Sequence, residues 1–319
     1  MSDFVESNNR IITVGLAPAW DIQCRGRALD WGRHANIDEQ DVRPAGKALN
    51  VSYALAWLGR PSIAAGLWGR EDYEPMQAAV QRLGFVQVAM TPVDGHTRRN
   101  VTVVDTQNGR EMHLRLPSGL ASAETLGRLD ADLKKLVVAG DTCVFAGSMP
   151  AGDLLDRVAA VVQGCGAAGA RIVLDTHGPA LKRLVDTGSL HLIAPNVEEL
   201  VGLLDRDIED TPGALAAAGR TLLARVELVL ISRGAKGAVL VNESGAWGGC
   251  SQTQAHVVST VGCGDYLLAG FLAGLNAAAD APAALETGLK VAVARAWGWT
   301  QTKTWPEAER MIKTVVAPL

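Results

Sequence analysis

From about residue 120 onward, short apolar runs alternate with helical patterns, and this alternation constrains the fold more than any other feature of the chain. "TCVFAG" from 142, "RIVLDT" from 171, "HLIAPN" from 191 and "ELVLIS" from 227 are of strand length and largely continuous in apolar character. A strand apolar on both sides must be covered on both faces, which is the condition of a parallel sheet. Helical patterns lie between these runs. Leu154, Leu155, Val158, Val161 and Val162 fall on one side of a helix, another helix is expected near 211–225, and two rich in alanine and leucine over about 264–300. The arrangement predicts an α/β fold with a mostly parallel sheet between two helical layers.

The first third is mixed. "RIITVGL" (10–16) has a buried-strand pattern, and a helix is expected over about 47–58, carrying Leu49, Val51, Ala54, Leu55 and Leu58 and ending at Gly59 with Pro61 beyond. Two segments, about 22–45 and 96–118, break the strand–helix alternation. The second holds Asn108-Gly109 between two alternating strands, a hairpin signal. Together they predict a small antiparallel sheet projecting from the main body. With 319 residues, 48% of them hydrophobic, the chain can hold one large α/β domain over 1–319 or two ordinary ones, and no long linker or repeat divides it.

The net charge of −4 gives no general attraction to nucleic acid or an anionic membrane, so an anionic ligand must be held by local groups. The opening "MSDFVESNNR" is polar and acidic, unlike an export signal, and no apolar run is long enough to span a bilayer. Five cysteines (24, 143, 165, 250 and 263) without CxxC pairing fit reduced thiols, and a cytoplasmic location is expected. There is no HExxH, and histidines 34, 96, 113, 177, 191 and 256 show no ligand spacing.

Several short motifs carry chemistry, each with a plainer structural alternative. In "TVGCGD" (260–265), Gly262 and Gly264 allow a tight turn whose amides converge at a helix start, a ready anion nest. Asp265 beside such a nest is either a helix-start acid placed for the dipole or a general base for phosphoryl transfer. Lys47 stands at a helix N-terminus, where the dipole disfavours a cation; it is either solvated or holds an anionic ligand. The surrounding "RPAGKALN" is not a P-loop, because Ala48 stands where Ser or Thr would bind magnesium. Asn50 either bonds a sugar hydroxyl or caps. The arginines of "TRRN" (97–100) suit phosphate or are solvated. "PNVEE" (195–199) offers an amide and two acids after a strand, suitable for magnesium through water or for an ordinary helix start. "ISRGAKG" (231–237) is a glycine-rich turn, and Trp297 and Trp299 are the tryptophans nearest an expected nucleotide pocket.

Taken together, "LAPAWD" (16–21), "AGKALNV" (45–51), "TRRNV" (97–101), "GSMPAG" (147–152), "LDTHGPAL" (174–181), "APNVEEL" (194–200), "ISRGAKGAVLV" (231–241) and "VVSTVGCGDYLLAGFLAGL" (257–275) make the chain resemble one family. It is the ribokinase-like (PfkB) carbohydrate kinases, most closely their 1-phosphofructokinase and tagatose-6-phosphate kinase branch. The resemblance implies a three-layer α/β/α fold, with the projecting strands as a lid that commonly pairs with a second lid in a homodimer. It implies ATP with Mg2+ and a sugar phosphate as ligands. Asp265 would be the base, and the amides of Gly262, Cys263 and Gly264 the anion hole. Asp21, Gly46 and Asn50 would hold sugar hydroxyls, and Lys47 and Arg98 the phosphate already on the sugar. Asn196 and Glu199 would support magnesium-ATP, Glu199 through water, while Ser232, Gly234 and Gly237 would line the nucleotide site.

The implied reaction is phosphorylation of fructose 1-phosphate at its 6-hydroxyl. Tagatose-6-phosphate kinase, a kinase for an unphosphorylated sugar or a nucleoside, and a catalytically weak sugar-phosphate sensor are the alternatives. A dinucleotide-binding protein is disfavoured, since no GxGxxG follows the first strand. Ala17, Ala48, Ala194, Arg233 and Tyr266 depart from the branch's usual residues, which places substrate identity in question.

Overall fold

The computed structural model describes residues 9–252, 257–277 and 280–319. Residues 1–8, which carry most of the reading against an export signal, and His256 lie outside them. β1 (Ile11–Gly15) is wholly buried; the chain then leaves the core for β2 (Ala19–Gly26) and β3 (Glu39–Ala45) and returns through α1 (Lys47–Trp57). β4 (Ser62–Gly69), α2 (Tyr73–Gln81) and β5 (Val86–Val93) follow, and β6 (Arg99–Asp105) with β7 (Arg110–Leu114) forms a second excursion. α3 (Ala123–Leu136), β8 (Thr142–Ala146), α4 (Asp153–Ala167), β9 (Arg171–Asp175), α5 (Gly178–Val185) and β10 (Leu190–Ile193) then alternate. α6 (Val197–Leu204) and α7 (Pro212–Arg220) precede β11 (Val226–Ser232) and the hairpin of β12 (Ala238–Asn242) and β13 (Gly245–Ser251). The chain closes with α8 (Cys263–Asn276), α9 (Ala281–Ala296), α10 (Trp305–Met311) and β14 (Thr314–Pro318).

Among the described residues the main sheet has ten strands, ordered β14-β13-β12-β11-β10-β9-β8-β1-β4-β5. β11 through β5 run parallel, and β12, β13 and β14 add an antiparallel edge. The apolar runs resolve into two faces with the period of a strand. On β8, Cys143 and Phe145 face one core and Val144 and Ala146 the other; on β9, Ile172 and Leu174 oppose Val173 in the same way. The first core is closed by α3 to α7 through residues such as Leu126, Leu184 and Leu215, and the second by α1, α8 and α9 through Leu55, Phe271 and Leu285. This is the three-layer arrangement expected from the sequence.

Gly66 shows how tightly the sheet's centre is built. Its φ of +122° is one that side-chain-bearing residues rarely adopt, and a Cβ there would lie 2.7 Å from the backbone nitrogen of Gly15 on β1. Gly66→Ala is expected to lose about 2–5 kcal/mol, since backbone strain and overpacking add at this position. Urea unfolding checks this, and an unchanged midpoint would show that β1 and β4 can separate freely.

The second sheet has the order β3-β2-β6-β7. It is antiparallel across β2–β3 and β6–β7 and parallel across β2–β6. The parallel seam arises because both excursions leave the body at neighbouring points and run outward together. The hairpin loop spans residues 106–109, with Gly109 at φ +64°. The buried Asp105 carboxylate organises it by accepting from the amides of Gln107 (3.1 Å) and Asn108 (3.3 Å) and from the Asn108 side chain (2.7 Å). At the root of the sheet, the Trp20 indole donates to Asp72 (2.7 Å), which also accepts from the Thr97 amide (3.2 Å).

Candidate active site

The carboxyl ends of β1, β9, β10 and β11 and the amino ends of α1 and α8 meet at one end of the sheet, the usual position for a ligand crevice in an open α/β fold. Both helices start on glycine. Gly46 precedes α1 with φ 129° and Gly262 precedes α8 with φ 80°, and neither helix has a capping side chain. At α8 the Cys263 amide turns towards the Thr260 carbonyl (3.4 Å). The amides of Gly262, Gly264 and Asp265 find no acceptor among the described residues. Among the described residues a Cβ built on Gly264 would meet nothing within 4 Å, so there is open space beside that residue.

Asp265 is 4% exposed, although the helix it begins is otherwise an apolar rod packed against α1 and α9. Its Oδ2 accepts from the Asn50 side chain at 2.7 Å. Burial, and next the neighbouring Asp175 carboxylate, push its carboxyl up to about 7, while Lys47 and the Asn50 hydrogen bond pull the other way. Lys47 Nζ donates to Asp175 Oδ1 at 2.8 Å, and the lysine side chain remains 35% exposed. Burial lowers the Lys47 ammonium, but Asp175, Asp265 and Glu199 together outweigh it and hold it above the ordinary lysine value. One lysine therefore faces three carboxylates. Burial raises the Cys263 thiol to about 11.

The remaining candidates lie around this centre. Asp21 on β2 accepts from Asn100 on β6 at 3.0 Å, at the root of the lid. The Arg98 guanidinium donates to the carbonyls of Ala17 (2.8 Å), Leu116 (2.9 Å) and Pro18 (3.2 Å), so in this structure it braces the lid's crossing points. Asn196 and Glu199 satisfy each other in a capping box: the Glu199 amide donates to Asn196 Oδ1 (2.8 Å), and the Asn196 amide to Glu199 Oε2 (2.9 Å). The plainer reading of this pair therefore holds for these contacts, yet Glu199 still acts on Lys47 by its charge. Ser232 is bridged to Asn196, with its amide donating to Pro195 (3.0 Å). Gly234, at φ 57°, has open space before it, whereas a Cβ on Gly237 would run into the backbone of Gly249. Packing against β13 thus accounts for the glycine at 237.

Among the departures, Ala48 faces the core beside β1 and Arg233 is locked to Asp210 (2.7 Å); the two tryptophans singled out from the sequence, Trp297 and Trp299, pack edge to face at 4.8 Å. A cavity of about 20 Å3 lined by Ala17, Gly46, Lys47 and Gly147 has room for about one water beside the site. A larger surface recess, about 530 Å3 around Ser189, Arg225 and Glu243, lies at the opposite ends of β10 and β11, away from these groups. Among the described residues no cluster of three or more His, Cys, Asp or Glu is placed to hold a metal directly, no helix is long and apolar enough to cross a membrane, and the five cysteines are free.

Two residues of this centre were not assigned a role from sequence. Asp175 has a readable signal, since it is the acid at the end of the apolar run "RIVL", as Asn196 follows "HLIAP". Arg295, whose Nε donates to the Val261 carbonyl beside the nest (3.3 Å), has none, because its position depends on how α9 lies against α8.

The layered main sheet with its small projecting second sheet is a ribokinase-like fold. The pfkB family carbohydrate kinase model matches residues 10–296, and the chain belongs to that family. It is 30% identical over 261 residues to a 1-phosphofructokinase of Vibrio cholerae, covering 82% of this chain and 81% of that protein. It is 31% identical to a 1-phosphofructokinase of Rhodobacter capsulatus, covering 82% and 83%. Phosphofructokinase-2 from Escherichia coli, solved in complex with fructose-6-phosphate, shares the fold with a TM-score of 0.85 at 22% identity, covering 95% of this chain and 100% of that one.

Proposed function

We propose that this carbohydrate kinase transfers the γ-phosphoryl group of ATP to a hydroxyl of a phosphorylated ketohexose, with fructose 1-phosphate, attacked through its 6-hydroxyl, as the preferred acceptor. The observation that carries this reading is the buried Asp265 carboxylate beside amides that have no acceptor among the described residues. The sugar hydroxyl gives its proton to Asp265 as its oxygen attacks phosphorus, and ADP leaves. The amides of Gly262 and Gly264, with Cys263 shaping the turn, face the charge that develops on the phosphoryl oxygens. The names of the relatives support fructose 1-phosphate over fructose 6-phosphate.

Asp21, Gly46 and Asn50 hold sugar hydroxyls in this reading, and Lys47 with Arg98 holds the existing phosphate. Ser232, Gly234 and Gly237 border the nucleotide. Mg2+ fits through its nucleotide rather than through a cage of side chains, because Asp175 and Glu199 leave an anionic surplus around Lys47 that a divalent cation offsets. When bound, the ion neutralises charge on the phosphates. Asn196 and Glu199 would support that ion with its nucleotide, Glu199 through water. Val42 and Leu114 on the lid are 49% and 47% exposed, which supports pairing with the lid of a second copy. A cytoplasmic location goes with the reduced thiols.

An ATP-consumption screen over fructose 1-phosphate, fructose 6-phosphate, tagatose 6-phosphate and free sugars tests the reading. The highest kcat/KM is expected with fructose 1-phosphate; turnover on none of them overturns it. Lys47→Ala is expected to raise KM for the sugar phosphate roughly 10- to 100-fold, the loss of one charge-assisted hydrogen bond. An equal loss with the unphosphorylated sugar would reassign Lys47 to the transferring phosphoryl group.

A further inference from the structure

Tyr266 follows the proposed base directly, and its bulk is explained by what lies over it. The Arg295 guanidinium, reaching in from the last turn of α9, stands 5.5 Å from the Tyr266 ring centroid, and the ring is 9% exposed. Arg295 Nε donates to the Val261 carbonyl at 3.3 Å. A Cβ built on Gly262 would lie 3.8 Å from Arg295 Nε, 3.7 Å from Asp265 Oδ2 and 3.6 Å from Asn50 Nδ2. The guanidinium thus shares the immediate surroundings of Gly262 with the proposed base. Among the described residues no carboxylate lies within 4 Å of it, and its other nitrogens have no hydrogen-bond partner.

Charge balance gives this placement a use. Lys47 already spends one hydrogen bond on Asp175, and Asp265 and Glu199 also act on it by their charge. A polyphosphate approaching that centre meets more negative than positive charge from it. Arg295 adds a cation on the α9 side of the nest, held by a ring face and a backbone carbonyl rather than by a neutralising acid. Arg43 on the lid strand β3 also acts on Tyr266, but more weakly than Arg295.

We propose that Arg295 is a catalytic residue of this site: a built-in arginine that contacts the transferring phosphoryl group from the α9 side, with Tyr266 as its platform and the Val261 carbonyl as its anchor. The inference rests on the kinase reading given above. It makes Tyr266 and Arg295 a unit, since the ring orients the guanidinium and the guanidinium meets the charge that develops during transfer.

The test compares Arg295→Met, Arg295→Lys and the wild type by steady-state kinetics and by calorimetric binding of ATP and ADP. Arg295→Met is expected to lower kcat by about tenfold or more, with KM for the sugar phosphate within about twofold. It should also erase most of the preference for ATP over ADP while ADP affinity holds. Arg295→Lys keeps the charge but loses the planar fork and should fall between the two. Wild-type kcat with an unchanged ATP-to-ADP ratio in Arg295→Met overturns the proposal, as does equal weakening of both nucleotides, which would make Arg295 a brace for the fold. Should Arg295→Met fail to fold, Arg295→Lys is read in its place, and wild-type rate and ratio there overturn the proposal. The binding arm needs no sugar. A wild type that turns over no sugar phosphate removes the proposed function and leaves the ATP-to-ADP comparison to decide on Arg295.

Discussion

Asp265→Asn is expected to lower kcat roughly 10²- to 10⁴-fold, the span of a lost general base, with ATP affinity retained. Asparagine has nearly the same shape, so the Asn50 contact and the start of α8 survive while the proton acceptor is removed. The wild-type rate should rise with pH through an inflection near 7, because burial and Asp175 keep a proton on the carboxyl until then. Asp265→Asn should lack that inflection. In Asp175→Asn it should move to lower pH, since a neighbouring negative charge is gone and Lys47 is freed to act on Asp265. A rate unaffected by Asp265→Asn would remove the base from the mechanism.

The same carboxyl links stability to pH, with a sign opposite to that of an ion-paired acid. Its folded value is raised from the ordinary 3.8 to about 7, so the folded state binds more protons between those limits. Its contribution is therefore fully present below about pH 4 and is lost as pH rises through about 7. Each unit of such a shift corresponds to about 1.4 kcal/mol, so the loss is on the order of a few kcal/mol. Asp265→Asn carries no such penalty, and its thermal midpoint should gain on the wild type progressively between pH 4 and pH 8. A helix-start acid with no buried charge would show no such divergence.

The layered core was legible because its signal is local and repeated: continuous apolar strands, helices between them, and glycine or proline at the breaks. The lid was legible as an interruption of that pattern, and its hairpin through Asn108-Gly109. What pattern could not supply was the direction of the seam between β2 and β6, which pairs segments nearly eighty residues apart. The site divides along the same line. Lys47, Asn50 and Asp265 stand at helix starts that the sequence marks. The contacts that define their states come from Asp175 on β9 and from one another across the sheet. Tyr266 looked anomalous in the sequence because its partner, Arg295, lies one helix later.

Gly264→Ala separates an anion nest from an ordinary helix start. Gly264 is the second residue of α8 and lies outside the left-handed backbone region, and a Cβ there meets nothing within 4 Å among the described residues. Judged by the chain alone, alanine is the better residue at this position, worth about 0.5–1 kcal/mol of added stability over glycine in a helix. Judged by the reaction, the methyl group occupies the space in which phosphoryl oxygens must meet the amides of Gly264 and Asp265. Losing the use of such a donor costs roughly 10²- to 10³-fold in kcat. Gly264→Ala is therefore expected to unfold at a higher urea concentration than the wild type and to lose at least about 100-fold in kcat. Gly262→Ala should lose on both counts, because φ at that residue is 80°, which a side-chain-bearing residue rarely adopts, and its Cβ would take up the space between Asn50, Asp265 and Arg295, 3.6–3.8 Å from each. Full activity in a stabilised Gly264→Ala would mean that nothing approaches these amides during turnover. The two glycines would then be turn residues only, and the phosphoryl group would have to be held elsewhere.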